Sequence, residues 1–157
     1  MRNRSVPFLL SIATASVAVF ALGVSIGWAH KGAKGVVMER MMSMKSMGDG
    51  MKVLSQMVTG KVAFDAAQVT SIAKSLKQHA AKIPEQFPKG SLQKPTEALP
   101  VIWEKWDDFK GQADNLATLA GELETAAASG KTASLVIFAK IGKSCSGCHQ
   151  DFRLKKE

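Results

Sequence analysis

The chain has 157 residues, room for one domain of ordinary size. Hydrophobic residues make up 46% of it, enough for a packed core, and its formal charge is +8. Two Cys are too few for a disulfide-dense scaffold, and the composition excludes a multidomain enzyme, a collagen-like repeat and a multi-span membrane protein.

The first 29 residues read as an export signal. Arg2 and Arg4 form a positive start, Val6 to Trp28 carries no charge, and Gly27 and Ala29 suit a cut after Ala29. The same stretch is nearly long enough for an uncleaved anchor. Either way residues 30–157 form the working domain and lie outside the cytoplasmic membrane. Cleavage removes two Arg and no acid, so the charge falls from +8 to +6. That basic excess suits an acidic partner or a membrane surface; no nucleic-acid motif accompanies it.

The remainder has helical periodicity and almost no strand signal. A first helix is expected over about Ala33 to Val58. Its apolar stripe is Val37, Met41, Met44, Met51 and Val58, with Met38, Met42 and Met47 beside it, and Thr59-Gly60-Lys61 ends it. A second follows Asp65, a residue type favoured at N-caps, and runs to about Ile83 on Val69, Ile72, Ala73, Leu76 and Ala80. Pro84, Pro88, Gly90 and Pro95 mark an irregular connection. A third helix is expected from near Pro100 to Gly130, with Ile102, Trp106, Phe109, Ala113, Leu116, Leu119 and Ala120 inward. The fourth is expected over Thr132 to Lys155, with Leu135, Phe138, Ala139, Ile141 and Gly142 inward. Four amphipathic helices with two short connections predict an all-α fold, an antiparallel four-helix bundle.

The last helix carries Cys145-Ser146-Gly147-Cys148-His149, the C-x-x-C-H attachment sequence of haem c. Cysteines at i and i+3 share one side of a helical turn, where both sulfurs can add to the vinyl groups of one porphyrin. The adjacent His supplies an axial imidazole. A redox dithiol would expect a βαβ context, which is missing. A zinc site would need a further ligand, with only His30 and His79 left as histidines. A simple disulfide would leave the His unexplained. One covalent haem c is therefore expected, with Cys145 and Cys148 as its thioether residues and His149 as the proximal iron ligand.

At these residues the chain resembles the class II cytochromes c, meaning cytochrome c′ and its low-spin relatives. The resemblance rests on Gly60-Lys61, on Phe64-Asp65-Ala66-Ala67-Gln68, and on Ala98-Leu99-Pro100-x-Ile102-Trp103. Its most specific part is Gly142-x-Ser144-Cys145-x-x-Cys148-His149-x-x-Phe152-Arg153. It implies a four-helix bundle with haem c on the last helix, often dimeric through the first two helices. It also implies that Arg40 lies near the haem propionates, against the reading of a solvated helix charge. Arg153 would be the basic residue near the proximal His, against the reading of a helix-surface salt bridge. Four residues after Arg40, the resemblance puts the distal position at Met44, where the low-spin branch has its methionine ligand. Periodicity alone does not separate Met44 from Met41 or Met47.

Three functions compete. With Met44 and His149 both on iron, the chain would be a periplasmic one-electron carrier, using lysines to steer towards an acidic redox protein. With the sixth position open, it would be a five-coordinate protein binding nitric oxide or carbon monoxide. A peroxidase would need a distal acid–base pair, and the methionine-rich distal face has none, so the expectation is a protein that is not an enzyme.

Overall fold

The computed structural model describes residues 32–155, so the export segment and His30 lie outside the described residues. The helices are α1 (Gly35–Val58), α2 (Ala66–Lys82), the short α3 (Val101–Glu104), α4 (Trp106–Ala128) and α5 (Lys131–Phe152). A 3-10 turn at Pro84–Gln86 follows α2. The four long helices form the antiparallel bundle that the periodicity predicts. Lys74 and Glu124 pair across α2 and α4, while Lys140 and Glu122 pair across α5 and α4. Both pairings fit antiparallel neighbours.

Local chemistry sets the helix ends. Asp65 accepts hydrogen bonds from the N–H groups of Ala67 and Gln68 at 2.9 and 3.0 Å, opening α2 as an N-cap should. Gly60 has φ +80° and lets the chain leave α1, its N–H donating to Met57 O. Gly130, at φ +97°, permits the two-residue turn between α4 and α5.

Three expectations need correcting. The third helix is not continuous. Lys105 leaves helical geometry at φ −115°, ψ 46°, splitting α3 from α4 while its N–H still donates to Val101 O. The fourth helix stops at Phe152, because residues beyond it pair with the connection instead: Leu99 N–H donates to Phe152 O and Leu154 N–H to Glu97 O. Within α5, Leu135 is 43% exposed and Ala139 is exposed too. The inward stripe is Ser134, Ile141 and Phe152, with Ile137, Phe138, Cys145 and Cys148 half-buried against the core.

α1 differs in the same way. Its seam reads Val37, Arg40, Met44, Met47, Met51, Leu54 and Val58, alternating steps of three and four. Arg40 takes the inward place that an apolar reading had assigned to Met41. The core beside it is aromatic. Phe87 meets Phe109 edge-on at 4.8 Å, and Phe109 meets Phe152 at 5.2 Å, so one row of rings links the connection, α4 and α5.

Candidate functional site

Cys145 and Cys148 lie one helical turn apart on the inward stripe of α5, between buried Ile141 and buried Phe152. Both thiols are free and half-buried. Burial pushes both thiols up, Cys148 to about 11, so at neutral pH each sulfur carries its proton and no charge. His149 follows on the exposed flank of the same turn. Burial first, and the Arg153 cation second, lower its pKa and favour the neutral imidazole, the form that ligates a metal.

The residues present fit a covalent haem. Two uncharged sulfurs at i and i+3 lie beside an imidazole on one turn. An added Cβ at Gly142, one turn before Cys145, would meet no atom within 4 Å, so the backbone there leaves room for a flat ring to approach. Among the described residues no group of three His, Cys, Asp or Glu is arranged to hold a metal ion. A groove of about 570 Å³ runs along the other flank of α5, past Asp108, Gln112, Asn115, Ser144 and Asp151. Its lining excludes the cysteines and His149.

Helix register brings α1 to the same level. The turn after α1 touches the start of α5, with Lys131 Nζ 3.3 Å from where a Cβ on Gly60 would stand. Counting back along α1 from Gly60 to Met44 covers as many residues as counting forward along α5 from Lys131 to Gly147. At 1.5 Å per residue, both walks are about 24 Å. The reach of the Lys131 side chain spans about one helical turn, so this count brings the stretch holding Met41, Met44 and Met47 to the level of the Cys-x-x-Cys-His turn. Met44 is half-buried and packs on the same core as Cys145 and Cys148. Met47 is buried in that core at 8% exposure, and Met41 lies beside the seam.

Arg40 is 4% exposed, so it is not a solvated helix charge. Its Nε and Nη2 donate to Gln86 O at 3.2 and 2.8 Å, and Nη2 reaches Ser91 O and Oγ at 3.1 and 2.8 Å. Nη1 donates to Thr96 Oγ1 at 3.1 Å, and the guanidinium lies over Phe87. Burial lowers its pKa, yet no carboxylate pairs with it among the described residues. One Nη1 hydrogen is left for a further acceptor such as a propionate. Arg153 makes the salt bridge that was its alternative reading, its Nε donating to Glu97 Oε2 at 2.9 Å and its Nη2 to the same oxygen.

Sequence reasoning missed Ser43, Gln86, Phe87, Ser91, Thr96 and Glu97, all of which hold these arginines or their helices. Most lie in an irregular connection, where periodicity has nothing to report. The one available signal was a charged residue, Arg40, on an apolar stripe. Trp103 is half-buried with its indole N–H donating to Phe87 O at 2.9 Å, and Trp106 packs 5.7 Å from Phe109. His79, on α2, is half-buried.

Known proteins resemble this chain. The family model described as Cytochrome C' matches residues 35–153. Cytochrome c-556 of Agrobacterium fabrum is 36% identical over 124 residues, covering 79% of this chain and 84% of the relative. Cytochrome c' of Pararhodospirillum photometricum is 36% identical over 116 residues, covering 73% and 92%. Among solved structures, cytochrome c prime from Shewanella frigidimarina superposes with a TM-score of 0.68 at 32% identity, covering 74% of this chain and 91% of that one. The cytochrome c' of Rhodopseudomonas palustris gives 0.74 at 28% identity, covering 80% and 100%. A match spanning α1 to the end of α5, with the thiols and imidazole in place on the last helix, means that this chain belongs to the cytochrome c′ family, the class II cytochromes c, which are haem c proteins.

Proposed function

We propose that this haem c protein is an exported one-electron carrier, in which His149 and Met44 are the axial ligands. The observation that carries the reading is Met44 itself, a half-buried thioether on the inward seam of α1, in the stretch level with the Cys-x-x-Cys-His turn of α5. When bound, the haem supplies the Fe(III)/Fe(II) couple, whose potential a methionine ligand raises. The chain's part is to attach the ring through Cys145 and Cys148, to present a neutral imidazole, and to hold a soft sulfur on the other side. Two ligands held by packed helices change little in position between oxidation states, which suits electron transfer. Nothing in this role requires a catalytic residue.

Export comes from the segment of residues 1–29, and the periplasm is the proposed compartment. No helix among the described residues is long and apolar enough to cross a membrane. Partners are proposed from chemistry: an acidic redox protein drawn to the chain's basic excess, and a second copy through α1 and α2, where Met42 is 52% exposed.

A second reading is a five-coordinate iron open to nitric oxide or carbon monoxide. The family match and the cytochrome c′ relatives back this reading better than they back the carrier. Residue 44 favours the carrier. The test is an optical spectrum of the holoprotein, oxidised and reduced, with and without carbon monoxide. A low-spin spectrum with the weak far-red methionine–iron band, lost in Met44→Ala, upholds the carrier. A high-spin spectrum that shifts with carbon monoxide overturns it in favour of ligand binding.

A further inference from the structure

The connection between α2 and α3 touches both helices that carry the proposed ligands. On the α1 side, Gln86, Ser91 and Thr96 receive Arg40, and Gln86 Nε2 donates to Ser43 Oγ at 2.9 Å. Arg40 is one turn before Met44, and Ser43 is its immediate neighbour. On the α5 side, Glu97 receives Arg153, one turn after His149. Leu99 and Leu154 add backbone hydrogen bonds of 3.0 and 2.8 Å, closing a short antiparallel bridge at Ala98 and Arg153. The two grips fall on adjacent residues, Thr96 and Glu97. The rings of Phe87, Phe109 and Phe152 form a chain of contacts from α1's arginine to the end of α5.

We propose that this connection is a spacer between α1 and α5, and that Thr96 and Glu97 are positioning residues for the iron's axial pair. The proposal rests on the reading that Met44 and His149 approach one iron from opposite sides. A methionine–iron bond is weak enough that a small outward shift of α1 favours its release. Hydrogen bonding is directional, so two arginines fastened to neighbouring residues of one segment restrict how far their helices can separate. Neither residue is one of the proposed ligands. Each acts through an arginine.

The test uses the purified holoprotein. Thr96→Val removes the acceptor of Arg40 Nη1, and Glu97→Gln removes the charge opposite Arg153. Both residues are only half-buried, so both variants are expected to fold. The double variant should lose part of the methionine–iron band and bind carbon monoxide about tenfold more tightly, the scale of one or two weakened hydrogen bonds. Thr96→Ser with Glu97→Asp keeps both acceptors and should stay within about twofold of the parent. An unchanged band and carbon monoxide affinity, with only the melting temperature lowered, would reduce the connection to a structural brace and overturn the proposal. Failure of the underlying reading looks different: the parent protein would itself be high-spin. In that case there is no axial pair to position, and the proposal falls with the reading it rests on.

Discussion

The guanidinium of Arg40 lies 3.9 Å from the centroid of the Phe87 ring, a buried cation held against an aromatic face with no carboxylate partner among the described residues. Main-chain carbonyls of Gln86 and Ser91 take the place of a counter-ion. Removing the side chain would strand those acceptors in the core. Arg40→Met should therefore destabilise the holoprotein by about 3 kcal/mol, and Arg40→Lys, which keeps the charge and loses the fork, by about half of that. Urea unfolding of the two variants beside the parent measures it. Equal stability of Arg40→Met and the parent would refute the clamp.

Met44 can be separated from its neighbours. Met44→Ala should abolish the methionine–iron band and cost roughly 2 kcal/mol for a half-buried side chain. Met41→Leu and Met47→Leu keep volume and should leave the band intact at a cost under about 1.5 kcal/mol each. Loss of the band in Met47→Leu alone would move the ligand assignment one turn along the helix.

Two glycines in one helix should behave oppositely. A Cβ at Gly48 meets nothing within 4 Å, so Gly48→Ala should gain about 0.5–1 kcal/mol of helix propensity. A Cβ at Gly50 would lie 2.9 Å from Ile72 Cγ2, a branched methyl with little freedom. There the propensity gain is offset by crowding, and Gly50→Ala should be destabilising by about 1 kcal/mol. Adding Ile72→Leu, which moves the branch away from Cβ, should recover stability. Thermal denaturation of the three variants decides it.

The start of α2 offers a simpler check. Asp65→Ala loses two hydrogen bonds to backbone N–H groups and should cost about 1 kcal/mol, while Asp65→Ser should retain most of the capping energy. Because Asp65 is exposed and far along the chain from α5's cysteines, neither change should alter the optical spectrum.

Covalent attachment is tested by extraction into acidified organic solvent. Cys145→Ser or Cys148→Ser alone should keep the haem through the remaining thioether. The double variant should release it. Release from either single variant would mean that only one sulfur is bonded.

By itself the sequence determined the four long helices, the capping of α2 by Asp65 and the C-x-x-C-H motif, because each depends on residues close together in the chain. Apolar spacing at three and four residues marks a helix face wherever the helix later packs. Cys145, Cys148 and His149 share one turn, so their proximity follows from helix geometry alone. What the spacing could not decide was which of several methionines faces α5, since one turn shifts little in hydrophobic pattern and a charged residue, Arg40, occupies the seam. Packing of α1 against α5 brings this methionine-bearing stretch towards the motif, through the contact of the Gly60 turn with Lys131. The connection of Gln86, Ser91, Thr96 and Glu97 was equally illegible, being aperiodic. Its hydrogen bonds span more than forty residues of chain to Arg40 and Arg153, and only the folded bundle brings those groups within reach.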